Sequence, residues 1–262
     1  MIKTVSLDGM TMNYFRFGNE NADPLVIIPG VALKSVMLSA QMIAAQYNTF
    51  NEDRNVYVFD RREDMPEEYS VYDMAEDTAK AMDTLSLKNA DVYGVSQGGM
   101  IALIMAVKRP ELVNKLALCS TASYVPDMSR EVMSKWIEYA EKKDMTLLMQ
   151  SFADNIYTKD YCEKYRDAFA IFGETVTDED LHRFIISVKG CEGFDMTGQL
   201  DGIKCPVLVI GADKDKIFGE VPSRVIAEHT NSELYIYSDQ AHGVYDENQD
   251  VLIRIKRFLH DE

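Results

Sequence analysis

Short apolar runs alternate with helical stretches along most of this chain, and that alternation leaves few folds open. PLVIIPG (24–30) is a continuous apolar run closed by Pro-Gly, as suits a strand buried on both faces. NVYVFD (55–60), ADVYGVS (90–96), KLALCS (115–120), CPVLVIGAD (205–213) and ELYIYSD (233–239) repeat the theme. Between and after them, residues 35–50, 72–87, 98–113, 221–229 and 251–260 carry apolar residues at helical spacing, the third stretch stopped by Pro110. Strands separated by helices pair in parallel through right-handed crossovers. VSLDGMTMNYFRFG (5–18) adds two strands at the start, joined by a turn at Asp8-Gly9. The expected fold class is α/β: a mostly parallel, doubly wound sheet of about eight strands.

One stretch breaks the pattern. Residues 124–194 hold no convincing strand, only the helical segments EVMSKWIEYAEKK, TLLMQSFADNIY, KDYCEKYRDAFAIF and DEDLHRFIISVK, the last after Thr177 as N-cap. That is too long for a loop. It predicts a helical subdomain inserted after the sixth strand and seated over the end of the sheet. The expected organisation is a core of residues 1–123 and 195–262 with a cap of residues 124–194.

The 262 residues suffice for such a domain, and 47% hydrophobic with 27% charged residues is ordinary for a globular chain. Against 27 Lys and Arg stand 43 Asp and Glu, a formal net charge of −16. That excess repels phosphate backbones and anionic headgroups, so neither nucleic acid nor membrane is an expected partner. The opening MIKTVSLDGM lacks the basic-then-apolar pattern of a secretory signal, and no apolar run approaches the roughly 18 residues of a membrane span. Four scattered cysteines (Cys119, Cys162, Cys191, Cys205) form no metal-ligand spacing. A cytoplasmic location is expected, with a small molecule as partner, no metal or cofactor, and self-association into a homo-oligomer left open.

Gly94-Val95-Ser96-Gln97-Gly98 fits G-x-S-x-G. Alone the pattern is weak, arising by chance in roughly one chain of this length in ten. Its context carries the weight, because a strand precedes it and a helix follows. So sharp a turn strains its apex, and glycines on either side keep side chains away. The serine hydroxyl then projects at the positive end of the helix. The plainer alternative is a serine that only caps that helix.

Such a serine needs a base. Of four histidines, His182 lies in a helix of the insertion, His229 at a helix end, and His260 near the C-terminus. His242 lies in a loop just after a strand, where open α/β sheets place their sites. The base needs an acid to orient it. Asp213 and Asp215 both follow the strand CPVLVIG; Asp215 is preferred because Ile217 can anchor its loop, while Asp213 reads better as a turn residue.

The order Ser96, Asp215, His242, each in a loop after a successive strand, resembles the α/β-hydrolase family, and the likeness spans nearly the whole chain. Gly94 and Gly98 match the nucleophile elbow, and residues 124–194 resemble the helical cap. The resemblance implies an oxyanion hole from the backbone N–H groups of Gln97 and Val31. Two stretches depart from the family: Pro29-Gly30 stands where many members have His-Gly, and Asp60-Arg61-Arg62-Glu63-Asp64 replaces Asp-x-Arg-Gly-x-Gly. The implied activity is a serine hydrolase cleaving an ester-type bond of a small or medium uncharged substrate through an acyl-enzyme. A thioesterase, lactonase, amidase or C–C bond hydrolase on the same triad remains open, as does a ligand-binding member without catalysis.

Overall fold

A computed structural model describes residues 2–7 and 9–260. The chain begins with an antiparallel hairpin, β1 (Ile2–Leu7) and β2 (Met10–Gly18), with Gly9 at φ +81° in the turn; the Asp8 half of that expected turn lies outside the described residues. The alternation follows: β3 (Pro24–Ile28), α1 (Ala40–Gln46), β4 (Asn55–Arg62), α2 (Val71–Thr84), β5 (Ala90–Val95), α3 (Gln97–Lys108) and β6 (Val113–Cys119). Five helices come next: α4 (Asp127–Glu141), α5 (Met145–Ile156), α6 (Lys159–Lys164), α7 (Arg166–Glu174) and α8 (Asp178–Lys189). The alternation resumes with β7 (Val207–Ala212), α9 (Val221–Thr230), β8 (Glu233–Tyr237), α10 (Val244–Glu247) and α11 (Asp250–His260).

The strands form one eight-stranded sheet in the order β1-β2-β4-β3-β5-β6-β7-β8. The pairs from β4 through β3 and β5 to β8 are all parallel; only the β1 and β2 pairings are antiparallel. Alternate side chains of the inner strands enter opposite cores. Val26, Ile28, Val92, Leu116, Val207 and Val209 pack with α2, α3 and α9 on one face. Leu25, Ile27, Tyr93, Ala117, Leu208 and Ile210 pack with α11 on the other. Every residue of β5 and β7 is buried, which is why these strands read as unbroken apolar runs.

Two helical expectations differ in detail. The stretch 35–50 is a 3-10 turn, α1 and a second 3-10 turn, and its apolar Leu38 and Met42 face solvent. The segment KDYCEKYRDAFAIF divides at Tyr165 (φ −110°, ψ 15°) into α6 and α7. The bend lets Phe169 of α7 reach the rings of Tyr157 and Tyr161.

The chain enters and leaves the five-helix segment side by side, through an antiparallel bridge between Tyr124 and Asp195 and a Val125 N–H to Phe194 carbonyl bond of 3.3 Å. Among the described residues no helix is long and apolar enough to cross a membrane.

Candidate active site

The parallel strands bring the loops after β3, β4, β5, β7 and β8 to one edge of the sheet, and the candidate residues gather there. Ser96 links β5 to α3 with φ 51° and ψ −122°, a conformation a side chain seldom takes. Close packing enforces it. A Cβ on Gly98 would fall 1.9 Å from the Ile28 carbonyl oxygen, and one on Gly94 would fall 2.7 Å from the Gly98 oxygen. Only glycine permits both approaches. The Ser96 N–H donates to the Cys119 carbonyl at 3.0 Å, and the Thr121 hydroxyl donates to the Ser96 carbonyl at 2.7 Å, pinning the turn from β6. The Ser96 side chain makes no cap bond to α3, so its hydroxyl is free to serve elsewhere.

It meets His242. The Ser96 Oγ lies 3.0 Å from Nε2 of His242, whose Nδ1 lies 2.9 Å from Oδ2 of Asp215. With Nδ1–H donating to the carboxylate, Nε2 is left to accept from the serine hydroxyl. His242 is 2% exposed and Asp215 6%. The other Asp215 oxygen accepts the N–H groups of Ile217 at 2.7 Å and Phe218 at 2.9 Å, which fixes the carboxylate. Asp213 instead ties the loops together: its N–H donates to the Tyr237 carbonyl at 3.0 Å, and the next N–H, of Lys214, donates to Gln240 at 3.0 Å. The carboxylate on His242 is therefore that of Asp215. The other histidines lie elsewhere, against Glu67 (His182), Asp201 (His229) and Asp53 (His260).

Val31 and Gln97 line one cavity with Ser96 and His242. The loop carrying Val31 lies against the serine, since a Cβ on Gly30 would fall 3.0 Å from Ser96 Cβ and 3.6 Å from its Oγ. Among the described residues, neither the Val31 nor the Gln97 N–H donates to a backbone carbonyl. Met133 and Trp136 of α4, Phe152 and Ile156 of α5, and Phe218 and Tyr245 line the cavity as well. Its free space is about 30 Å³, room for little more than a water molecule. Among the described residues, no Lys, Arg, Asp or Glu lines it. Ile156 also accepts the Gly243 N–H at 2.6 Å, so the end of α5 is bonded to the histidine loop.

Three neighbours escaped the sequence reading. Arg61, 6% exposed, donates from Nη2 to the Pro29 carbonyl at 2.8 Å and to Gln97 Oε1 at 3.0 Å. Gln97 Nε2 donates to the Ser187 carbonyl at 2.6 Å and to Cys191 Sγ at 3.3 Å. Arg61 takes the open position of Asp-x-Arg, before the departure at Glu63-Asp64, and nothing in the sequence marked it, Ser187 or Cys191 as part of the site. Burial pushes the Cys191 thiol up to about 11 and Cys119 up to about 12, so both stay protonated at neutral pH. Among the described residues, no group of three His, Cys, Asp or Glu side chains could hold a metal ion.

A sequence model described as the alpha/beta hydrolase fold matches residues 23–156. The chain belongs to the α/β-hydrolase fold family. It is 23% identical over 260 residues to serine hydrolase BPHL of Mus musculus, covering 92% of this chain and 80% of that one. It is 24% identical over 210 residues to a putative carbamate hydrolase RutD of Rhizobium rhizogenes, covering 77% of this chain and 80% of that one. Among solved structures, the enol-lactonase from Burkholderia xenovorans LB400 superposes with a TM-score of 0.87 at 22% identity, covering 99% of this chain and 100% of that one.

Proposed function

We propose that this chain is a serine hydrolase that cleaves an ester-type bond of a small or medium uncharged substrate. The observation that carries the reading is the continuous, buried relay from Ser96 through His242 to Asp215, at 3.0 and 2.9 Å. In this reading Ser96 Oγ attacks the carbonyl carbon while His242 Nε2 takes its proton, and Asp215 stabilises the imidazolium. The Val31 and Gln97 N–H groups hold the oxyanion. The imidazolium then protonates the leaving oxygen, and the neutral ring later takes a proton from the water that releases the acyl group.

The apolar lining, which among the described residues includes no Lys, Arg, Asp or Glu, supports an uncharged substrate. We read residues 124–194 as a cap whose helices α4 and α5 must shift for substrate to enter, because the space beneath them is so small. A compact ring ester is a second reading, favoured by that enclosed space; one structural neighbour is an enol-lactonase. Four free cysteines suit the reducing cytoplasm we propose as its setting.

Hydrolysis of p-nitrophenyl acetate and butyrate by the wild type, Ser96→Ala and His242→Gln tests the reading. Turnover by the wild type is expected, with kcat lower by at least about a thousandfold in both variants. No turnover of any neutral ester by folded wild type, or an undiminished rate in Ser96→Ala, would contradict it.

A further inference from the structure

We propose that Arg61 is a positioning residue of the oxyanion hole, its buried guanidinium clamping the two backbone segments that present the Val31 and Gln97 N–H groups and setting a positive charge behind the oxygen they hold. The proposal rests on the reading of Ser96 as nucleophile. Arg61 stands at the end of β4, beside both segments. Its Nη2 donates to the Pro29 carbonyl at 2.8 Å, two residues before Val31. Nη2 and Nε together donate to Gln97 Oε1, at 3.0 and 3.3 Å. One rigid fork thus joins the loop after β3 to the first residue of α3, the two sources of N–H donors.

The electrostatics support a role beyond bonding. Among the described residues Arg61 forms no ion pair. Its neighbour Asp60 is already engaged, one oxygen accepting the Arg61 backbone N–H at 2.8 Å and the other accepting the Ser35 hydroxyl. Burial disfavours the charged guanidinium, and the neighbouring Asp60 carboxylate offsets only part of that. A negative charge does arrive nearby when Ser96 adds to a carbonyl. A fixed positive charge in a site closed to water stabilises that charge without reorganising. Arg61 is not part of the cavity wall, so it acts through Pro29 and Gln97 rather than on the substrate. Gln97 is held from its far side too, by Ser187, whose hydroxyl donates to Oε1 at 3.1 Å and whose carbonyl accepts Nε2 at 2.6 Å.

A purely structural clamp would change stability and leave transition-state binding alone. The test compares wild type, Arg61→Met, Arg61→Lys and Gln97→Met for kcat and KM on p-nitrophenyl butyrate, for inhibition by phenylboronic acid, and for Tm. Phenylboronic acid adds reversibly to an active serine as a tetrahedral anion. Arg61→Met is expected to lower kcat by about 10–100-fold with KM within about threefold, and to weaken the boronate by a matching factor. Arg61→Lys should recover part of both losses, and Gln97→Met, which releases one side of the clamp, should fall between. Unchanged kcat and boronate affinity in folded Arg61→Met, or in Gln97→Met if the arginine variants fail to fold, would overturn the proposal. So would a lower kcat with boronate affinity intact. A wild type that neither binds boronate nor loses activity on Ser96→Ala would overturn it through the nucleophile, a result separate from any in the arginine series.

Discussion

A serine held at φ 51° costs the fold on the order of 1–3 kcal/mol, and Gly94 and Gly98 are the residues that let it stand. The same economy of side chains separates the two aspartates of the acid loop. Asp215 points one oxygen at His242 and gives the other to Ile217 and Phe218, while Asp213 serves the loop through its backbone. Asp215→Asn is expected to lower kcat on a neutral ester by about 10³–10⁴-fold, because an amide favours the wrong imidazole tautomer. Asp213→Asn should stay within about threefold. Equal effects in steady-state assays would contradict the assignment. Ile217 was the legible signal for this choice, since an apolar residue two positions on buries the loop. Arg61 was not legible: an arginine at a strand end ordinarily reaches water, and its burial depends on Pro29 and Gln97, which are distant in sequence.

Elements were readable where one environment governs them. β5 and β7 are buried throughout, so their apolar runs had one interpretation. Residues 35–50 were less plain because periodicity counted Leu38 and Met42, which the fold leaves in water. The break at Tyr165 had no signal, as no proline or glycine marks it and the aromatic packing that accompanies it is tertiary. The last helix is fastened by charge as well as by its apolar face. Asp53, just before β4, lies 3.0 Å from Lys256 Nζ and 2.7 Å from His260 Nε2 of α11. Partial burial pushes the Asp53 carboxyl up, but the hydrogen bonds from Lys256 and His260 outweigh it and hold the group below its ordinary value of 3.8. A lowered folded-state pKa stabilises above the unfolded value and loses that contribution as pH falls through the folded one. Asp53→Asn is expected to cost about 1 kcal/mol at pH 7, with the gap to wild type closing below the ordinary value. Denaturant titrations at neutral and acid pH check this, and a gap that widens toward acid would contradict it.

At the scale of the molecule, the topology brings together what the sequence scatters. Val31, Ser96, Asp215 and His242 span more than two hundred positions, yet each follows a strand of one parallel sheet. Parallel strands point their ends the same way, so parallel pairing through right-handed crossovers was enough to expect their loops at one edge. The space left between sheet edge and helices was beyond such reasoning. It depends on how Trp136, Phe152 and Ile156 pack around the cavity, which pattern alone does not determine. The central claim is an activated serine at the β5–α3 turn. Intact mass after incubation with a fluorophosphonate, beside a Ser96→Ala control, tests it most directly. The account predicts one stoichiometric adduct on the wild type and none on the control. Folded wild type without an adduct, or an adduct that persists on Ser96→Ala, would contradict it.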